Sequence, residues 1–226
     1  MKVQFLGQNC FLFTYRGINM LTDPFYNMQL DKSKFDIKAQ KIDYVLITHA
    51  HEDHIADVKE VIGNYPETVI IGQPEICGHF NHKNSVDLNF GGTTQIEDLQ
   101  ITMVPASHTS SFPNGSYGGQ PAGFILKNPE QTVYFAGDTG LMADMQLFPK
   151  YFGKIDSAFL PVGGHYTMDA EQAAFAAATL LNCEKVIGCH FDTFPPISID
   201  HKMAKKSFTN QNIDFVLPDV GQEFEI

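Results

Sequence analysis

Residues 44–54 read YVLITHAHEDH, an apolar run followed by three histidines and one aspartate within six positions. The chain has only nine histidines, so this short segment holds a third of them. In an extended segment, side chains i and i+2 point the same way, so His49 and His51 can offer two imidazoles to one ion from the end of the YVLI strand. Asp53 and His54 follow where a helix begins, placed to serve a second ion nearby. Imidazole and carboxylate donors together suit zinc and its first-row neighbours without any thiolate. An accidental H-x-H-x-D-H in a chain of this composition has odds on the order of one in a thousand, which leaves metal binding as the reading of the motif.

The motif holds too few donors for two ions, so the remainder must come from elsewhere. Three residues each follow an apolar run: His108 after LQITMVPAS, Asp138 after TVYFAG, and His190 after KVIGC. Taken singly, each has an ordinary explanation: a loop histidine, a turn aspartate and a core histidine. Their common position at strand ends, where layered sheets carry their active-site residues, joins them to the motif.

Composition bounds what such a site can serve. At 226 residues and 43% hydrophobic, the chain can bury one sizeable core, and no Ser/Gly-rich or Pro-rich linker marks a boundary, so residues 1–226 read as a single domain. The balance of 15 Lys+Arg against 26 Asp+Glu gives a formal charge of -11, a field that repels nucleic acid and anionic membrane surfaces. Cys10, Cys77, Cys183 and Cys189 show no CxxC spacing and lie in or beside apolar runs, as reduced, buried thiols do. The start, MKVQFLGQNCFLF, is interrupted by Gln4, Gly7, Gln8 and Asn9, and no run approaches the roughly 20 residues of a membrane span. The expected location is the cytoplasm. Nothing in the sequence sets the oligomeric state, and a homo-oligomer is compatible with it.

Short apolar segments bounded by turn residues recur along the chain: KVQFL, CFLFTY, INMLT, YVLIT, TVIIG, LQITMV, GFILK, TVYFAG, SAFLPV, KVIGC, DFVLP and QEFEI. These are expected strands. Helical patterns fall at IADVKEVIGNY, at LMADMQLFPKYF (141–152) and at DAEQAAFAAATLL (169–181), where Asp169 is placed to cap the helix. The first half reads as hairpin-like strands followed by alternating strands and helices, and the second half repeats that order without sequence repetition. Two sheets covered by helices follow from this. Residues 107–123, SHTSSFPNGSYGGQPAG, are expected to form a surface loop. His79, His82 and His201 are expected to be solvated, and HKMAKK (201–206) to be a solvated helix face.

With THAHEDH, the lone His108, GDTG at 137–140 and CH at 189–190 in this order, the sequence resembles the metallo-β-lactamase superfamily over essentially its whole length. Within it, SHTSSF, GGQPAGF, GDTGLMADM, LPVGGHYTM and HFDTFPPI are similar to a small prokaryotic branch of metal-dependent hydrolases related to ascorbate-6-phosphate lactonase. The resemblance implies an α+β fold, an αββα sandwich of two mixed sheets flanked by helices. It also implies two divalent metal ions per chain, zinc first, with manganese, nickel or iron as alternatives of overlapping ligand chemistry. One ion would be held by His49, His51 and His108, the other by Asp53, His54 and His190, with Asp138 bridging both. His51 stands where flavodiiron oxidoreductases carry a carboxylate, which favours hydrolysis over redox chemistry. The chain lacks the added helical region of glyoxalase II-like thioesterases and the RNA-binding arm of the superfamily's nucleases, so a small-molecule substrate is expected.

Ions of this kind lower the pKa of water from about 15.7 towards 7, so a bridging hydroxide can attack a small ester, lactone, amide or phosphodiester without a Ser or Cys nucleophile. Asp53 and His165 are the candidate catalytic residues. His165 follows SAFLPV and two glycines and precedes a helix, a place suited to substrate contact or leaving-group protonation. Asp23, Thr139 and Asp192 are candidates for holding ligands from outside. The competing reading is a catalytically idle metal-binding or assembly protein of the same fold.

Overall fold

Two tight turns fold the amino-terminal residues into a meander of three strands, β1 (Lys2–Gly7), β2 (Cys10–Tyr15) and β3 (Ile18–Thr22). Their buried faces carry Val3, Phe5, Phe11, Phe13, Met20 and Leu21, and each large apolar side chain so removed from water contributes about 1.5–3 kcal/mol. The computed structural model describes residues 1–226, except for the side chain of Leu30. After α1 (Leu30–Ser33), the chain enters β4 (Tyr44–Leu46), α2 (Glu52–Ile55), α3 (Val58–Asn64), β5 (Val69–Gly72), α4 (Pro74–Phe80) and β6 (Ser85–Asp87). The second series is β7 (Thr93–Ile96), β8 (Leu99–Pro105), β9 (Ala122–Lys127), β10 (Thr132–Phe135), α5 (Leu147–Phe152), β11 (Ser157–Pro161), α6 (Ala170–Phe175), β12 (Lys185–Cys189), α7 (His201–Thr209) and β13 (Asp214–Val216). The last strand is β14 (Glu223–Glu225).

The chain forms two compact units, Met1–Asn89 with Thr109–Gln120 and Pro218–Ile226, and Phe90–His108 with Pro121–Leu217. Each contains one seven-stranded mixed sheet, in the order β14-β1-β2-β3-β4-β5-β6 and β13-β12-β11-β10-β9-β8-β7. In the first sheet β14, β1, β2 and β3 pair antiparallel, and β3 to β6 pair parallel. In the second, β7 to β10 pair antiparallel, and β10 to β13 pair parallel. The two units therefore share one strand plan, as the repeated order of apolar runs implied. The inner parallel strands β4, β5, β11 and β12 are almost wholly buried and read as continuous apolar runs, whereas the edge strands β6, β7, β13 and β14 keep polar, exposed positions.

Several elements differ from the sequence reading. The short edge strands β6 (SVD) and β7 (TTQI) carry too little apolar alternation to stand out. α4 has Pro74 in its first turn and ends at Asn81 in the left-handed region, an ordinary start and stop for a helix. The helix after the motif begins at Glu52 and breaks before Val58. Asp169 caps α6, its Oδ1 accepting the Gln172 N–H at 2.8 Å, but beyond Phe175 the helix continues as a π-helix, Ala176–Leu181. The 107–123 segment carries no strand or helix before β9, yet Phe112, Gly118 and Gly119 within it are buried. All four cysteines are free and buried. Among the described residues no helix is long and apolar enough to cross a membrane.

Candidate metal centre

Parallel pairing places successive strand ends side by side. In the first unit Thr22 pairs with Leu46 and Leu46 with Ile71, so the residues that follow these strands gather along the carboxyl edge of the sheet, where open α/β sheets present their sites. Asp23 follows β3 directly, with a left-handed φ of 37°. Its carboxylate accepts the Thr48 backbone N–H at 2.8 Å, the Thr48 hydroxyl at 2.7 Å and Nδ1 of His54 at 2.8 Å. The Thr48 hydroxyl also meets His49 Nδ1 at 3.0 Å. This network assigns the proton of both imidazoles to Nδ1 and leaves each Nε2 with its lone pair. His49, His54 and Asp23 are all fully buried. Burial pushes the Asp23 carboxyl above its ordinary pKa, while His54 and the Thr48 donors pull it down.

The expected convergence of the motif is present in this unit. His49 Nε2 lies 3.0 Å from His51 Nδ1, and His54 Nε2 lies 3.4 Å from Asp53 Oδ2. His51 holds the extended conformation (φ -66°, ψ 150°) expected of a residue leaving a strand, and α2 starts immediately after it. The ligand atoms of Asp23, His49 and His54 also lie within 4.8 Å of one another, but the oxygens of Asp23 are already committed to Thr48 and to the protonated side of His54. Asp23 thus holds the His54 ring directly and the His49 ring through Thr48, beyond starting the Asp-Pro turn.

In the second unit Phe135 pairs with Phe159, and Pro161 with Cys189, which aligns the ends of β10, β11 and β12. Asp138 Oδ2 lies 2.9 Å from His190 Nε2 and 3.5 Å from His108 Nε2. His190 and Asp138 are each 2% exposed. Thr139 ties the two loops together: its hydroxyl accepts the Ser107 N–H at 3.0 Å, and the Gly140 N–H donates to the Ser107 carbonyl at 2.9 Å. His190 adopts φ 54°, and a Cβ on Gly163 would stand 2.1 Å from its carbonyl oxygen, so glycine is required there.

These spacings fit a metal. A tetrahedral ion with ligand bonds of about 2.0–2.1 Å holds its ligand atoms about 3.3 Å apart, and the four pairs above bracket that value. Buried imidazoles with Nδ1 held by an outer hydroxyl or carboxylate are donors arranged for an ion.

His165 lies on the exposed turn between Gly163 and Asp169, with φ 58°, its ring edge-on to Tyr166 at 4.4 Å. The Met168 N–H donates to the Thr139 carbonyl at 2.9 Å, which fastens that turn to the Asp138 loop. Asp192 bonds the Ile199 N–H at 2.9 Å and His201 Nε2 at 2.5 Å, so the exposed His201 is paired rather than merely solvated. His82 is half-buried with Nε2 2.8 Å from the Thr68 carbonyl, and His79 stacks on Phe112 at 4.1 Å. Sequence reasoning passed over Gln8, whose Nε2 donates to Asp53 Oδ2 at 2.7 Å. The signal was present as a polar Gln-Asn pair between two apolar strands.

Residues 2–190 match the family model described as a beta-lactamase superfamily domain. The chain is 43% identical, over the full length of both proteins, to a UPF0173 metal-dependent hydrolase of Christiangramia forsetii. Among solved structures it is similar to Igni18, a metallo hydrolase of the archaeon Ignicoccus hospitalis, with 32% identity, a TM-score of 0.87 and coverage of 100% of this chain and 98% of that one. It is also similar to a putative metal-dependent hydrolase of Parabacteroides distasonis, with 26% identity, a TM-score of 0.76 and coverage of 97% and 93%. The two mixed sheets flanked by helices are the fold these relatives share. On sequence, fold and donor chemistry together, the chain belongs to the metallo-β-lactamase superfamily, in its branch of metal-dependent hydrolases.

Proposed function

We propose that the chain is a dinuclear hydrolase, one ion held by His49, His51 and His108, the other by Asp53, His54 and His190, with Asp138 bridging them. Zinc is the first choice of metal, and manganese, nickel and iron suit the same donors. When bound, such ions would supply a water of pKa about 7 as the nucleophile at neutral pH and positive charge to stabilise the oxyanion that develops on the substrate. The observation that carries the reading is the pair of convergent donor sets, His49/His51/Asp53/His54 and His108/Asp138/His190, each built around buried imidazoles at strand ends.

The chain's own residues then have distinct tasks. Asp23 and Thr48 fix the imidazoles of His54 and His49. Asp53 accepts the proton released as the nucleophile attacks, and His165, on its exposed turn, contacts the substrate or protonates the leaving group. Cys77 and Cys183 are poor nucleophiles, because burial pushes their thiols up to about 11. The substrate is a small ester, lactone, amide or phosphodiester. Four free, buried thiols support a place in the cytoplasm.

Elemental analysis of purified protein, followed by a screen of generic ester, lactone, amide and phosphodiester substrates before and after chelation, tests this. Two ions per chain and hydrolysis that disappears on chelation are expected. Activity that persists after verified metal removal rules the mechanism out.

A further inference from the structure

Gln8 sits in the turn between β1 and β2 with no solvent exposure and a left-handed φ of 53°. A non-glycine residue in that region is strained, and a buried amide is costly unless its polar atoms are satisfied. Its Nε2 donates to Asp53 Oδ2 at 2.7 Å, joining residues 45 positions apart. Its Oε1 is buried with no hydrogen-bond partner among the described residues. Strain and an unfilled acceptor at one position serve no packing purpose, and such features concentrate where a ligand completes the site. The repeated strand plan adds an independent observation. Gln8 follows β1 as His108 follows β8, the corresponding strand of the second unit, and His108 Nε2 likewise faces a carboxylate, that of Asp138 at 3.5 Å.

We infer that Gln8 is the positioning residue for Asp53, acting through its Nε2 to fix the carboxylate that holds the second ion. An amide N–H₂ facing a carboxylate can only donate, so it favours the charged form and fixes Oδ2, the oxygen that faces His54 Nε2 at 3.4 Å. The buried Oε1 is an acceptor whose donor arrives with the loaded site. This rests on Asp53 being a metal ligand, as proposed above.

The test is Zn²⁺ affinity by chelator competition, with thermal unfolding of the metal-free protein alongside, for wild type, Gln8→Met and Gln8→Asn. Methionine keeps the length of the side chain and removes the donor. Asparagine tolerates the left-handed turn and loses the reach to Asp53. Both variants should bind one Zn²⁺ about 10–100-fold more weakly, the usual cost of losing an outer partner of a ligand, with the other Zn²⁺ unchanged. The metal-free Gln8→Met protein should unfold at or above the wild-type temperature, which a merely structural role would not allow. In an Asp53→Ala background, Gln8→Met should change Zn²⁺ affinity less than about twofold. Wild-type affinity in both single variants, an equal loss in the Asp53→Ala background, or a loss matched by destabilised metal-free protein would each overturn the inference. Wild-type protein that takes up no Zn²⁺ would instead overturn the ligand assignment.

Discussion

The two units run the same strand plan, three antiparallel pairings followed by three parallel ones, yet fill equivalent places with different chemistry. After the fourth strand of the plan, β3 or β10, stands Asp23 in one unit and Asp138 in the other. After the fifth, β4 or β11, stand HAHEDH and GGHYTMD, and after the second, β1 or β8, Gln8 and His108. Each aspartate meets an imidazole, His54 at 2.8 Å and His190 at 2.9 Å. The difference lies in what else surrounds them. Asp23 also accepts two donors from Thr48, so its lone pairs are spent on protein, whereas Asp138 presents one oxygen to the ring nitrogens of two histidines. Topology fixes where a carboxylate appears, and its neighbours decide whether its oxygens are spent on backbone and hydroxyl donors or face a pair of imidazoles.

The largest difference in effect is expected at these two residues. Asp138→Ala should lower metal content below two ions per chain and reduce turnover on the order of 10³-fold or more, as loss of a central electrostatic group does. Asp23→Asn should retain two ions at saturating metal while weakening affinity about 10–100-fold. Equal effects in both variants would erase the distinction.

A smaller effect concerns the segments after the fifth strand, β4 or β11. His165→Ala should keep both ions and the fold while lowering kcat/KM about 10²-fold, the contribution of a positioned acid or base. Full turnover with full metal content would leave HAHEDH without a functional counterpart in the second unit.

Each unit also has a glycine pressed against a donor-bearing segment. A Cβ on Gly163 would meet the His190 carbonyl at 2.1 Å, and one on Gly118 would meet the Ala50 side chain at 2.3 Å. Alanine at either position should cost about 1–3 kcal/mol, read as a lowered unfolding temperature. Gly163→Ala should also lower metal affinity, because the obstacle is the backbone of a proposed ligand. Wild-type stability in both variants would show that these contacts relax freely.

The smallest effect is a shared one. Cys77 in one unit and Cys183 in the other are held as thiols up to about 11 by burial, from an ordinary value of 9.0. The folded state keeps protons that the unfolded chain releases, so stability should be intact below pH 9 and decline as pH climbs through 11. Cys77→Ala and Cys183→Ala should each flatten part of that decline in pH-dependent unfolding, and an unchanged slope in both would place its cause elsewhere.

The sequence by itself determined the strands that bear the site, because the inner parallel strands are buried on both faces and so read as unbroken apolar runs such as YVLI and KVIGC. It also singled out the candidate donors, since histidines clustered at a strand end have little other use, and family order set His108, Asp138 and His190 beside them as candidates. The edge strands β6 and β7 were not legible, because a strand with one exposed edge needs few apolar residues and carries a weak pattern. The break in the helix after the motif and the π-helix beyond Phe175 were set by tertiary packing, which overrides local propensity. Only the tertiary structure decided which polar residues support the donors. Gln8 reaches Asp53 across 45 positions and Asp23 reaches His54 across 31, and such partnerships depend on strand register and turn conformation, which no local pattern of residues records.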